Sequence, residues 1–179
     1  MSDAPMLGGK RRIDRILADD FVRDLESLET DDLRARRDLS KAEREYLSFL
    51  RRLLQGRRDI LRDELRRRET GGEAGPLVER ITAVLGEGPR GRSRGEAVSV
   101  PLPEEEVTLA RRRIERLLSD ASLSDLEGLS DDDLRETIER VEREERTVSE
   151  ARGRVMGVHD RLQGEMKRRL RAQLKGLRA

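Results

Sequence analysis

The chain has 179 residues, 43% of them charged and 34% hydrophobic, with aromatics at 2% and a formal net charge of +1. It contains no Cys, no Trp and a single His, His159. A cysteine-free chain builds no disulfide framework, thiol nucleophile, zinc cluster or iron–sulfur site, and one histidine excludes a multi-His metal centre within one chain. No run approaches the ~18 apolar residues of a membrane span, and the first ten residues lack the apolar core of a secretion signal. The even charge balance speaks against a general nucleic-acid binder, which carries a basic excess. Large apolar residues are too few for a thick globular core, whereas helix-on-helix seams need fewer. The expectation is an all-α cytoplasmic protein of long, charged helices, without metal, membrane or direct nucleic-acid partner.

In chain order, residues 1–10 are expected to be disordered. From residue 11 an internal repeat sets the architecture. Shifted by 101 residues, Arg11–Thr70 lies over Arg112–Arg171 without a gap and shares 23 identities in 60 positions. The repeats, 11–70 and 104–179, have the same parts. A short helix comes first, about Ile13–Ser27 and about Glu104–Ser119. Acidic caps follow, at Asp31-Asp32 and Asp131-Asp132-Asp133, where carboxylates complement the helix dipole. A long helix then runs over about Asp31–Glu69 and about Asp131–Gly176. Residues 71–103 between the repeats read as a break, a short amphipathic helix over Pro76–Leu85, and a flexible linker.

The long helices carry half of a heptad seam. In the second, Leu134, Val141, Val148, Val155 and Leu162 recur every seven residues. In the first, Leu33, Leu47, Leu54 and Leu61 keep the same frame, with Ser40 at the one polar position. The fold expected is two long helices in an antiparallel coiled coil with short flanking helices, produced by the duplication. A linker of this length lets the second half fold back on the first. A monomer is expected, since the duplication supplies in cis what a single-copy protein needs two chains for.

A polar stripe flanks the seam. At about 100° per residue from Ser48, Arg51 falls near 300°, Gln55 near 340° and Asp59 near 20°, while the seam leucines cluster at roughly 200–260°. The second repeat has Ser149, Arg152, Met156 and Asp160 in these places, with Glu145 one turn earlier. Gly56 and Gly157 recur inside the stripe, although glycine costs about 1 kcal/mol in a helix, which suggests a close approach by a ligand ring or a partner helix. Residues 35–42 share no identity with 136–143, yet Ser, Arg, Gly and Asp recur in step. Arginine offers a rigid donor fork for guanine O6/N7 or phosphate, a carboxylate accepts from guanine N1–H and its amino group, and Ser and Gln bond phosphate or ribose. The plainer reading of the same residues is a solvated face of i,i+4 pairs.

The segment Leu47–Leu61 resembles the first motif of the RsiG family of actinobacterial anti-sigma factors, which is Glu-x3-Ser-x2-Arg-x3-Gln-x3-Asp. The second repeat supplies Glu145, Ser149, Arg152 and Asp160. The resemblance extends to Arg11–Leu17, to Leu77–Leu85 and to the linker. Each copy keeps four of the five positions: Arg44 stands where the motif has Glu, and Met156 where it has Gln. The resemblance implies cyclic di-GMP, as an intercalated pair, bound across the long helices by Ser48, Arg51, Gln55, Asp59, Glu145, Ser149, Arg152 and Asp160. Arg51 and Arg152 would grip guanine edges or phosphates, and Asp59 and Asp160 would read guanine. It further implies that the loaded protein sequesters a WhiG-like sporulation sigma factor, with Ile16, Leu17, Phe21 and Leu25 as apolar anchors. The competing readings are an adaptor coiled coil without a nucleotide and, on its Arg-rich runs, a nucleic-acid binder. An enzyme is the least supported class, because no metal spacing or phosphate loop appears.

Overall fold

The computed structural model describes residues 8–71, 102–118, 126 and 128–176, with side chains from Arg12 onward. The short helix expected over 76–85, the linker up to residue 101 and the first seven residues lie outside the described residues. Within them are helix α1 (Gly8–Ile16), two 3-10 turns (Asp19–Val22 and Leu25–Ser27), α2 (Thr30–Thr70), α3 (Glu104–Leu117) and α4 (Asp131–Gly176). No strand occurs among the described residues.

The termini of the long helices follow from local chemistry. At the start of α4 the Ser130 hydroxyl accepts from the Asp133 backbone N–H at 3.1 Å and donates to the Asp133 carboxylate at 2.6 Å, and the Ser130 N–H points back at that carboxylate. This is a reciprocal cap with Asp in the place of the usual Glu. Helix α2 opens on Asp31 and Asp32 and closes on Arg67 and Arg68, matching both ends of its dipole. It stops at Gly71, whose φ of +66° is a conformation that side chains with a Cβ disfavour.

The first short helix is interrupted. α1 begins at Gly8, inside the stretch expected to be disordered, and ends at Ile16, where a continuous helix over 13–27 was expected. Ala18 is extended, and Asp24 adopts a left-handed φ of 50°, which Asp tolerates. In an unbroken helix Ile16 and Phe21 would point about 140° apart. The break lets both be buried, at 0% and 5% exposure. It also frees the carbonyls of Asp20 and Phe21, which accept from Arg36.

The described residues group into two compact units: those up to Ser48 with those from Ser149 on, and those between Phe49 and Val148. We call them the terminal and central units. They are not the sequence repeats. Each takes a short helix and the front of a long helix from one repeat, and the rear of the long helix from the other. In the terminal unit, contacts tie Thr30 to Arg169 (3.3 Å), Arg37 to Met166 (3.3 Å), Ser40 to His159 (3.2 Å) and Ser48 to Arg152 (2.8 Å). In the central unit they tie Gln55 to Glu145 (2.7 Å), Arg62 to Glu142 (2.5 Å) and Arg68 to Asp131 (3.1 Å). Within each unit, numbers rise along one segment as they fall along the other.

The apolar residues of the heptad frame are buried. Leu33, Leu47, Val155 and Leu162 line the terminal unit, and Leu54, Leu61, Leu134, Val141 and Val148 the central one, all at 2% exposure or less. Ser40 is also fully buried, and its hydroxyl donates to the Arg37 carbonyl at 2.7 Å, so the polar seam position carries no unsatisfied donor.

Buried carboxylates hold the short elements. Glu43 pairs with Arg12 of α1, whose guanidinium also sits 5.9 Å from the Tyr46 ring centroid. Glu165 accepts from Arg168 and Arg169, and Arg169 donates onward to the carbonyls of Leu25 (2.8 Å) and Leu28 (2.7 Å). The central unit holds the same set 101 residues away: Arg113 on Glu144, Arg67 and Arg68 on Glu64, and Arg68 on the carbonyls of Leu126 (2.9 Å) and Leu129 (2.6 Å).

Arg168, then Arg169, holds the Glu165 carboxyl down from its ordinary 4.5 to about 2 despite burial. A depressed carboxylate stabilises the fold above its unfolded pKa, and that contribution is lost as pH falls through the folded value. The stability advantage of wild type over Glu165→Gln, read from urea midpoints, is therefore expected to be full above pH 5 and to shrink steadily toward pH 2. An advantage independent of pH contradicts this assignment.

Candidate functional site

The eight stripe residues divide between the units. Ser48, Ser149, Arg152 and Asp160 belong to the terminal unit, and Arg51, Gln55, Asp59 and Glu145 to the central unit.

In the central unit the cluster is organised around Glu145, whose side chain is 14% exposed. The Gln55 amide donates to one of its oxygens at 2.7 Å and Arg58 Nη1 to the other at 2.7 Å. Arg51 Nε lies 3.4 Å from the first oxygen, yet this buried N–H has no aligned acceptor. Arg58 turns its Nε and Nη2 onto Asp59 at 3.0 and 2.9 Å. Two cations, two carboxylates and an amide from α2 and α4 thus form one network. Charged hydrogen bonds of this kind fix side-chain geometry more tightly than neutral ones. The Arg51 Nε–H, although close to the Glu145 carboxylate, has no acceptor in line with it.

The terminal cluster is more open. Arg152 Nε donates to Ser48 Oγ at 2.8 Å, and that hydroxyl donates to the Arg44 carbonyl at 2.7 Å. Arg44, Ser149 and Met156 are half-buried, and Asp160 is exposed. His159 lies beside Asp160 with its Nδ1 3.2 Å from the buried Ser40 hydroxyl. Burial, and next the charge of Arg44, push the His159 ring below its ordinary 6.5.

Gly157, read from the sequence as a point of close approach by a ligand ring or a partner helix, has open space around it: a Cβ built there meets nothing within 4 Å. It lies on an open groove of about 630 Å³ with Leu17, Val22, Val158 and Arg161 along it. One expectation changes. Ile16 and Phe21, expected as anchors for a partner, are consumed in the terminal core because the helix break turns both inward. Leu17 and Val22 remain accessible on the groove. Sequence reasoning also missed Arg58, which lies at the edge of the stripe. The signal available was its neighbour Asp59 and its spacing from the heptad frame, and neither distinguishes it from the other arginines of α2.

Among the described residues no group of three or more His, Asp or Glu could hold a metal ion, and no helix is long and apolar enough to cross a membrane. Residues 19–85 match the family model described as RsiG-like. That stretch includes all of α2 and hence Ser48, Arg51, Gln55 and Asp59. No curated protein matches the chain.

The Glu145 network generates a double-mutant cycle. Arg58→Ala is expected to cost about 1–2 kcal/mol, because it strips a charged partner from a largely buried carboxylate. The loss should be smaller in a Glu145→Gln background, where no charge is left uncompensated. Equal losses in both backgrounds, measured by urea unfolding, mean that the two side chains are not coupled.

Proposed function

We propose, from the premise that the chain is an RsiG-type protein, that it acts as an anti-sigma factor armed by cyclic di-GMP. The observation that carries the reading is the family match across the segment holding Ser48, Arg51, Gln55 and Asp59. The Glu145 network supports it, since it gathers Arg51 and Gln55 from α2 against α4 and leaves an Arg51 N–H without an aligned acceptor.

In this reading the long helices form an antiparallel coiled coil that arose by duplication, as the contact pairs recurring 101 residues apart suggest. Cyclic di-GMP binds the clusters formed by Arg51, Gln55, Asp59 and Glu145 and by Ser48, Ser149, Arg152 and Asp160. Arginine forks take phosphate oxygens or guanine O6/N7, and Asp59 and Asp160 accept from guanine N1–H and the amino group. The hydroxyls and Gln55 orient the sugar-phosphate ring. The bound nucleotide bridges α2 and α4 within a cluster and so stiffens the helix pair. The stiffened surface is what a WhiG-like sporulation sigma factor recognises. Holding sigma there keeps it from RNA polymerase in the cytoplasm, with no contact to DNA and no chemistry performed. Ligand and sigma then strengthen each other's binding by the same factor. The chain meets sigma as a monomer.

An adaptor role without a nucleotide is favoured by one observation: Glu145 already has protein partners on both oxygens. Calorimetry with cyclic di-GMP, GTP and cyclic di-AMP side by side separates the two, and binding of cyclic di-GMP alone is expected. Asp59→Ala with Asp160→Ala is expected to weaken that binding at least tenfold, on the order of the 1–3 kcal/mol of a good base contact. Wild-type affinity in the double variant removes the site assignment. Sigma affinity unchanged by saturating cyclic di-GMP removes the arming mechanism.

A further inference from the structure

The two clusters are chemically unequal, and the difference lies in a pair of positions that change together. Position 58 in the first repeat corresponds to 159 in the second, and 44 to 145. In the central unit the pair is Arg58 with Glu145, in direct contact at 2.7 Å. In the terminal unit the corresponding pair is His159 with Arg44. A second arginine at 159 would set two fixed cations against each other. Histidine eases this, because burial, and next the charge of Arg44, disfavour its protonated form.

The charged groups bearing on the ring are Arg37 and Arg44 from α2 and Asp160 from α4 itself. Ser40 also faces it from α2. The Arg37 backbone also hydrogen-bonds the ring, and the Ser40 hydroxyl donates to the Arg37 carbonyl, so its oxygen is placed to accept from Nδ1–H. In that tautomer Nε2 is the atom that gains a proton. The central cluster sets Arg51 and Arg58 against Glu145 and Asp59. The terminal cluster holds Arg44 and Arg152 with the exposed Asp160.

We propose that the terminal cluster is an anion-accepting ligand site: a phosphate group lodges against Arg44, Arg152 and His159, and Nε2 of His159 takes up a proton as it arrives. The inference rests on the cyclic di-GMP reading. It assigns the phosphate grip to residues outside the spaced motif and makes Arg44, the departure from that motif, a contributor. The anion offsets the repulsion between Arg44 and the imidazolium, so binding raises the proton affinity of His159. By linkage, affinity then rises as pH falls through the histidine range, by at most about tenfold per pH unit for one proton.

The chain's only histidine makes the test direct. The imidazole resonance of the intact protein is titrated by NMR between pH 5 and 8, free and with saturating cyclic di-GMP. Its midpoint is expected to rise by about one unit or more, a tenfold change in proton affinity. Calorimetry over the same range should show tighter binding at low pH in wild type and a flat profile in His159→Gln. In Arg44→Glu the free midpoint should already be raised, and the ligand should move it less. Cyclic di-GMP that binds without moving the wild-type midpoint overturns the proposal and leaves the ligand reading standing. If cyclic di-GMP fails to bind at every pH, the ligand reading falls, and inorganic pyrophosphate is titrated against the same resonance. A midpoint raised by pyrophosphate keeps the anion site, and an unmoved one removes it.

Discussion

An apolar face on a long helix has to be covered, and this constraint organises the molecule. α2 and α4 run for 41 and 46 residues with a narrow seam of Leu and Val and polar residues elsewhere. Neither can bury that seam alone. Each seam residue is covered inside a unit that draws one helix segment from each repeat. The repeat visible in the chain is therefore not the packing unit. Part of each unit's core comes from the other repeat: Val155 and Leu162 in the terminal unit, and Leu50, Leu54, Ile60 and Leu61 in the central one.

Buried acid–arginine pairs complete what the seam begins. Glu43, Glu64 and Glu165 lie at 8% exposure or less, and each is neutralised by arginine. Removing such a carboxylate from water is costly unless it is paired and hydrogen-bonded. Here the pairing has a second use. Arg68 and Arg169, aligned by Glu64 and Glu165, reach carbonyls in the short segments ahead of α4 and α2. Carbonyls outside the long helices need donors of their own. One long helix thereby anchors the start of the other within the same unit.

The polar clusters sit on this frame and inherit its rigidity. Their donors and acceptors come from both long helices, so anything bridging them reads the relative register of the two segments. The clusters differ in charge: Glu145 compensates the arginines of one, and Arg44 stands at the corresponding position of the other.

The chain's local periodicity was enough for the two long helices, their acidic starts, the seam and the stripe, but not for the break after Ile16. Leu33 through Leu61 and Leu134 through Leu162 had to share a helix face, whatever covered them. Ser48, Arg51, Gln55 and Asp59 had to share another. Tertiary structure decided which segments face each other, and that selected Arg58 as a partner of Glu145 and placed His159 beside Ser40 and Arg44. It also decided which acids of a 43% charged chain are buried. Position along a helix gives the direction of a side chain, but only the neighbouring helix determines whether that direction meets water, an apolar seam or an opposite charge.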